Sequence, residues 1–151
     1  KSMLDKRVIP ILLIESKRLV KSVNFNKLTY VGDPINAVKI FNDKYVDEII
    51  ILDITNNNND SPDFELIQSI ANECFIPLTY GGNIKSFEHA LRLFKIGIEK
   101  ISLNTMIYEN PNLVKELVKN FGSSSIIASI DYSFIDNSYY AYINKINIEK
   151  D

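Results

Sequence analysis

The stretch VDEIIILDIT, residues 46–55, decides the fold. Its run of aliphatic, mostly β-branched residues is interrupted only by Asp53. Such a run is typical of a strand that is buried on both faces, as strands of parallel sheets are. An acid at the carboxyl end of that strand is not needed for packing. Residues 98–105, IEKISLNT, repeat the pattern with Asn104 in the place of Asp53. The repeat predicts two buried strands with chemistry at their ends.

Composition excludes several classes of protein. The 151 residues suit one domain or part of one, and the net charge of −2, with acids and bases intermixed, gives no electrostatic case for nucleic acid or an anionic membrane. No apolar run approaches the roughly 20 residues of a membrane span, and no signal peptide is visible. The single cysteine, Cys74, excludes an internal disulfide and a multi-cysteine metal site. We therefore expect a cytoplasmic protein.

Strand and helix patterns alternate along the chain. Strands are predicted at 7–14, 48–53, 76–80, 100–103 and 126–131, and helices at 34–43, 63–74, 86–96 and 110–120. A small hairpin is predicted within 15–30, and residues 139–147 resemble a hairpin arm. Alternation of this kind predicts parallel strands with right-handed crossovers. Two architectures fit this order, an open doubly wound sheet and a (βα)8 barrel.

The ends of the strands favour the barrel. No GxGxxG follows the first strand, so a dinucleotide-binding sheet lacks support. Polar residues Asp53, Asn104 and Asp131 end three strands, and Gly81 and Gly82 end another. A barrel brings the carboxyl ends of all its strands to one site. We predict an α/β fold with about four and a half units of a (βα)8 barrel, residues 1–151 being its N-terminal half and ending just after strand five and its hairpin.

Seven segments carry a resemblance to a known family. They are RVIPILLIESKRLVK, GDPINAVKIF, VDEIIILDIT, YGGNI, EKISLNT, ENPNLV and FGSSSIIASID. In this order and spacing the chain resembles the cyclase subunit of imidazole glycerol phosphate synthase, a (βα)8 barrel of histidine biosynthesis. The resemblance implies an ammonia-dependent lyase that needs no cofactor and no metal. A glutaminase partner supplies ammonia at the bottom of the barrel, and the ammonia meets a phosphorylated ribulosyl substrate at the top.

The resemblance also assigns residues. In the family, aspartates at the ends of strands one and five act as acid and base. Asp131 matches the second, whereas the first falls at Leu13, and a leucine cannot move a proton. We therefore expect this chain alone to be inactive. Residues matching substrate or phosphate positions are Lys21, Asp53, Gly81, Gly82, Asn83, Asn104 and Thr105. The simpler alternatives are a loop cap at Asp53 and a plain turn at Gly81 and Gly82.

Three charges match a different feature of the family. Arg7, Glu48 and Lys100 correspond to members of the charged ring around the ammonia entrance, the alternative being ordinary solvated charges. A divergent branch of the family serves amidotransferases that add nitrogen to cell-surface sugars, and its barrel passes on ammonia without cyclising. Leu13 makes this chain resemble that branch. A half barrel would also leave strands one and five with unpaired edges, which predicts self-association of the chain alone.

Overall fold

The computed structural model describes residues 6–23, 27–55 and 61–141. Within them the strands are β1 Ile11–Glu15, β2 Arg18–Val23, β3 Lys27–Gly32, β4 Ile49–Asp53, β5 Leu78–Gly81, β6 Lys100–Leu103, β7 Ile126–Ala128, β8 Tyr132–Ile135 and β9 Ser138–Ala141. The helices are α1 Pro34–Asp43, α2 Phe64–Glu73, α3 Phe87–Ile96, α4 Met106–Glu109 and α5 Pro111–Phe121.

One mostly parallel sheet organises these elements. Its seven strands have the order β3-β2-β1-β4-β5-β6-β7. β1 and β4 to β7 pair in parallel, while β2 and β3 form the antiparallel hairpin predicted within residues 15–30. β8 and β9 pair only with each other among the described strands. The alternation of helices and parallel strands confirms the predicted α/β class.

The two faces of the sheet differ in what they bury. The face toward the helices carries Ile49, Ile51, Tyr80 and Ile101, each at most 1% exposed. Burial of this apolar surface stabilises the fold at about 25 cal/mol per Å². Alternation along the strands places other residues on the opposite face, which corresponds to the inside of a barrel. These residues include Leu13, Leu52, Thr79, Gly81 and Ser102.

Local signals fix where three helices begin. The Asp33 carboxylate accepts the Ile35 N–H at 2.6 Å, and the Ser86 and Asn110 side chains accept hydrogen bonds in the same way at α3 and α5. Each side chain satisfies a backbone donor that the first helical turn leaves free. Gly97, in the left-handed conformation, closes α3. These caps lie where the sequence predicts them.

The predicted edges of the sheet need correction. β1 begins at Ile11 instead of residue 7; Pro10, which has no N–H to donate, precedes it and accepts the Ile50 N–H through its carbonyl. β1 is not an unpaired edge, because β2 lies beside it with Leu13 opposite Val20. The β2–β3 hairpin therefore covers the edge of β1 that was predicted to be unpaired.

The carboxyl end of the chain also differs from the prediction. β7 ends at Ala128, and pairing continues only to Ser129, whose N–H donates to the Leu103 carbonyl at 2.8 Å. Asp131 therefore follows the strand instead of ending it. The short helix α4 was not predicted. In the β8–β9 hairpin the Tyr132 and Tyr139 rings meet at 5.3 Å, and residues 142–147 of the predicted arm lie outside the described residues.

The helix-facing core can be tested with a matched pair of isoleucines. Ile70 on α2 is fully buried, whereas Ile40 on α1 is 58% exposed. Because both lie in helices, the change in helix propensity is the same for each. We expect Ile70→Ala to lower the free energy of unfolding by about 2–5 kcal/mol and Ile40→Ala by less than about 1 kcal/mol. Urea denaturation measures both, and equal losses would contradict this description of the core.

Candidate functional site

A cleft of about 340 Å³ opens at the carboxyl ends of the parallel strands. The strands end at one edge of the sheet, and the loops that follow them converge there. The cleft is lined by Leu13, Leu52, Asp53, Gly81, Gly82, Asn83, Lys85, Ser102, Asn104, Thr105, Glu109, Ser129 and Asp131, among others. Every residue predicted for the substrate or phosphate site except Lys21 belongs to this lining.

The turn after β5 packs tightly against the end of β4. Gly82 has φ +136°, and a Cβ there would overlap the Asp53 carbonyl and lie 2.9 Å from the Asp53 Cβ. Asn83 follows with φ +53°, a conformation that asparagine tolerates better than most residues. Its side-chain amide donates to the Thr55 carbonyl at 3.4 Å. The turn can therefore lie this close to the end of β4 only with glycine at position 82.

Asp53 serves the loop and the cleft at once. Its carboxylate accepts the Thr55 N–H at 2.9 Å, and the Thr55 hydroxyl accepts the Ser16 N–H at 2.9 Å. These bonds tie the end of β4 to the turn between β1 and β2. The loop cap that the sequence offered as the simpler alternative is therefore present. Since the same residue lines the cleft, the two interpretations are compatible.

Tyr80 is a buried polar residue that the sequence analysis missed. Its hydroxyl lies behind the cleft on the helix-facing side, and no atom of the described residues meets hydrogen-bond geometry with it. Burial raises the pKa of Tyr80 far above its usual range, and the Asp53 and Asp63 carboxylates raise it further. The hydroxyl therefore stays protonated. The available signal was an aromatic residue with a polar tip in a short strand, LTYG, of a predicted buried sheet.

Asp131 lacks the second aspartate of the expected pair, since that position is Leu13, and its carboxylate is hydrogen-bonded to the side-chain amide of Asn104. The Asn104 side chain donates to the Asp131 Oδ2 at 2.9 Å, and both residues line the cleft. Leu13 lines the same cleft and presents only carbon there. This hydrogen bond orients the exposed Asp131 carboxylate, which is the one candidate general base or acid that the predicted aspartate pair retains.

Lys21 stands apart from the cleft. It is exposed on β2 opposite Thr29, and its neighbour Ser22 lines the cleft instead. Successive side chains of a strand point to opposite faces, so this register turns Lys21 away from the lining. The structure thus does not bring Lys21 together with the other predicted site residues, and its role stays a prediction.

A second cluster lies at the opposite end of the parallel strands. Glu48 is buried, and its carboxylate accepts the Thr79 hydroxyl at 2.6 Å. The Lys100 ammonium reaches the same carboxylate at 3.2 Å, and the Arg7 guanidinium reaches it at 3.3 Å. The three predicted charges are therefore in contact. Thr79, the fourth member, carries no sequence signal because its partner lies 31 residues away.

The electrostatics of this cluster favour an ionised glutamate. Burial alone would raise the pKa of Glu48, but the Thr79 hydrogen bond and the Lys100 and Arg7 charges outweigh it and hold the pKa below its ordinary value. The cluster therefore presents one buried carboxylate between two cations.

In the part of the chain that the structure describes, no helix is long and apolar enough to cross a membrane.

Comparisons with known proteins agree with this architecture. The family described as "Histidine biosynthesis protein" matches residues 7–150. The chain is 49% identical over 130 residues to a "Putative imidazole glycerol phosphate synthase subunit hisF2" of Pseudomonas aeruginosa, covering 85% of this chain and 52% of that protein. It is 40% identical over 145 residues to a "Putative imidazole glycerol phosphate synthase subunit HisF" of Leptospira interrogans, covering 94% and 57%.

A third relative carries the unqualified name. The chain is 39% identical over 141 residues to the imidazole glycerol phosphate synthase subunit HisF of Exiguobacterium sp., covering 93% of this chain and 55% of that protein. The chain thus spans about half the length of the curated relatives it matches. Together with the parallel sheet, these matches confirm the predicted fold class, about half of a (βα)8 barrel.

The buried glutamate should make the fold sensitive to acid. The lowered pKa of Glu48 means that its contribution to stability is complete above the ordinary glutamate pKa of about 4.3 and is lost as the pH falls through the lower folded value. We expect Glu48→Gln to lower the free energy of unfolding by about 1–3 kcal/mol at pH 7 and by progressively less below about pH 4. Urea denaturation across this pH range measures the difference.

Glu99→Gln is the matched control, because Glu99 also lies near Lys100, at 3.8 Å, but its side chain is 53% exposed. An exposed pair of this kind contributes about 0–1 kcal/mol. A Glu48→Gln effect that is independent of pH would contradict the role assigned to the ionised carboxylate.

The crowded turn predicts a second difference between matched variants. Gly82 and Gly97 both have positive φ, but only at Gly82 would a Cβ meet other atoms within 4 Å. Gly97→Ala should cost about 1 kcal/mol of stability for the backbone conformation. Gly82→Ala should cost at least about 1 kcal/mol more, because the turn must also move away from Asp53. Thermal denaturation compares the two, and equal costs would show that the turn is not crowded in solution.

Proposed function

This chain belongs to the histidine biosynthesis protein family, and from that membership we propose that the whole protein is an ammonia-dependent imidazole glycerol phosphate synthase subunit. The chain would supply the N-terminal half of its barrel, residues 1–151, ending after β7 and the β8–β9 hairpin. The observation that carries the proposal is the cleft in which Asp131 and Asn104 face the Gly82 turn. We propose that this protein works in the cytoplasm.

The proposed roles follow from what each group can do. Asp131 would exchange protons with the reacting ligand, held in place by Asn104. The backbone of Gly82 and Asn83 would bind a phosphate group of a ribulosyl substrate, because N–H groups at a glycine turn form an anion-binding concavity. The remaining proposed substrate contacts are Asp53, Gly81, Asn104, Thr105 and, by family resemblance alone, Lys21.

Leu13 makes the proposed activity divergent. A carboxylate at this position and another at Asp131 would provide an acid and a base on two sides of the cleft. With Leu13 the lining offers carbon on one of those sides, so one of the two proton transfers lacks a side chain to perform it. We propose that any cyclase turnover is slow for this reason.

The Glu48 cluster supports the ammonia-dependent part of the proposal. Arg7, Glu48 and Lys100 would surround the entrance for ammonia released by a glutaminase partner. The Glu48 side chain shares its face of the sheet with Leu52, which lines the cleft at the other end. One face of the sheet therefore connects the two clusters. Salt bridges at the entrance would define a narrow opening that a neutral ammonia molecule can pass.

A second candidate function is an ammonia conduit for a cell-surface sugar amidotransferase. The specific observation that favours it is the combination of an assembled Glu48 cluster with a cleft that Leu13 lines together with Asp131. Such a protein needs an entrance and an exit for ammonia, but it needs no acid–base pair. Its partners would be the glutaminase and the amidotransferase that consumes the ammonia.

An assay of the whole protein with ammonium ion and the bis-phosphorylated ribulosyl substrate separates the two candidates. The divergent cyclase proposal predicts slow formation of imidazole glycerol phosphate, which Leu13→Asp accelerates at least about tenfold by restoring a proton-transfer group. Leu13→Asn is the control of similar size without a titratable group. No product from either the wild type or Leu13→Asp would contradict the cyclase proposal and leave the conduit as the better account.

Self-association is proposed only for the chain without its second half. The last strand of the sheet, β7, has a partner on one side only among the described strands. Two copies could pair such edges, since unpaired N–H and C=O groups template further strands. The isolated chain should therefore be oligomeric, and a monodisperse monomer by light scattering at micromolar concentration would contradict this.

A further inference from the structure

The charge of the cleft conflicts with a phosphorylated ligand. Among the described residues that line it, Asp53, Glu109 and Asp131 carry carboxylates and Lys85 carries a cation. Three carboxylates against one lysine give these residues a formal charge of −2. The hydrogen bonds that Asp53 and Asp131 accept orient their carboxylates but do not remove their charges. A cation near the turn would strengthen the binding of a phosphate group in such surroundings.

Lys85 is the one cationic residue among the described residues that line the cleft. It follows the Gly82–Asn83 turn by two residues and lines the same cleft, half-buried. Its own backbone N–H donates to the His89 Nδ1 at 3.3 Å, and the His89 N–H donates to the Ser86 hydroxyl at 3.2 Å. These two bonds fix the backbone from which the lysine side chain extends.

The His89 imidazole, which accepts the Lys85 N–H, is itself fixed by packing against an aromatic ring. The His89 ring packs edge-on against the Phe64 ring at 6.0 Å, and the Arg92 guanidinium lies 4.0 Å from the centre of the same Phe64 ring. α3 is thereby anchored to the start of α2. The base of the Lys85 side chain is positioned by tertiary contacts before any ligand arrives, which lowers the entropic cost of using it.

We propose that Lys85 is the cationic ligand for an anion bound at the Gly82–Asn83 turn, and that it determines the affinity of the cleft for a phosphorylated substrate. This proposal rests on the function proposed above and adds the residue on which phosphate binding depends. The turn supplies N–H donors, and Lys85 supplies the one positive charge among the described lining residues, which offsets one of the three carboxylates. A charge-assisted hydrogen bond to phosphate is about twice as strong as a neutral one.

Titration of the whole protein with inorganic phosphate tests this assignment. The Gly82 backbone amide is followed by NMR in the wild type, Lys85→Gln, Lys85→Arg and the control Lys95→Gln. Lys95 is exposed near the end of α3, the helix that begins just after Lys85, and lies roughly 15 Å away along the helix axis. We expect Lys85→Gln to raise the phosphate dissociation constant about five- to tenfold at low salt, Lys95→Gln less than twofold, and Lys85→Arg to keep most of the affinity.

Salt dependence separates a charge contact from a folding effect. Screening weakens interactions of a partly exposed charge, so the difference between wild type and Lys85→Gln should shrink in about 1 M salt, where the screening length is roughly 3 Å. A structural defect would persist at every salt concentration. Equal phosphate affinity in the wild type and Lys85→Gln would overturn the role of Lys85 while the phosphate site stands. No phosphate-dependent shift in the wild type would overturn the site itself, and this inference with it.

Discussion

The parallel pairing of β4 with β5 is the constraint on which both clusters depend. Leu52 lies opposite Gly81 in this register, which forces the turn at Gly82 against the end of β4. The same pairing sets Thr79 opposite Ile50, two residues beyond Glu48, and its hydroxyl reaches the Glu48 carboxylate at the other end of the strands. β4 has five residues, so its ends are about 17 Å apart. One short strand thus carries an ion cluster at its start and a cleft residue at its end.

The two clusters therefore lie at opposite edges of the sheet. Glu48 is buried and ionised between two cations at one edge of the sheet, and the cleft with Asp131 lies at the other. Parallel strands make such a division unavoidable, because all amino ends meet at one edge and all carboxyl ends at the opposite edge. In an antiparallel sheet of the same length, the residues that end consecutive strands would alternate between the two edges. The parallel order is therefore what places Asp53, the Gly82 turn and Asn104 in one cleft.

Much of the fold follows from local signals in the sequence. Aliphatic runs predicted β4 and β6, and Asp33, Ser86 and Asn110 predicted the starts of three helices, because each signal acts within a few residues. The failures both concern strand pairing, which single-sequence patterns do not encode. β2 pairs with β1 across a two-residue turn, with Leu13 opposite Val20, and β7 ends at Ala128 where its pairing with β6 ends.

The site divides in the same way. Strand-end chemistry predicted Asp53, Asn104 and the glycine turn, and family resemblance added Glu48 and Lys100. The hydrogen bond of Thr79 and the buried hydroxyl of Tyr80 escaped prediction because both side chains fit an ordinary strand pattern. Lys21 rests on resemblance alone: the register of β2 places it outside the lining of the cleft, and its role stays a prediction.

We propose that one face of the sheet joins an ammonia entrance at Glu48 to the cleft at Asp131. The most direct measurement supplies the whole protein and the proposed glutaminase partner with amide-labelled glutamine in the presence of unlabelled ammonium ion. The fraction of label in the nitrogen-containing product measures transfer through the protein. We predict that Lys100→Ala lowers this fraction while Lys115→Ala, an exposed lysine on α5, leaves it unchanged. Equal labelling in Lys100→Ala and the wild type would contradict the account.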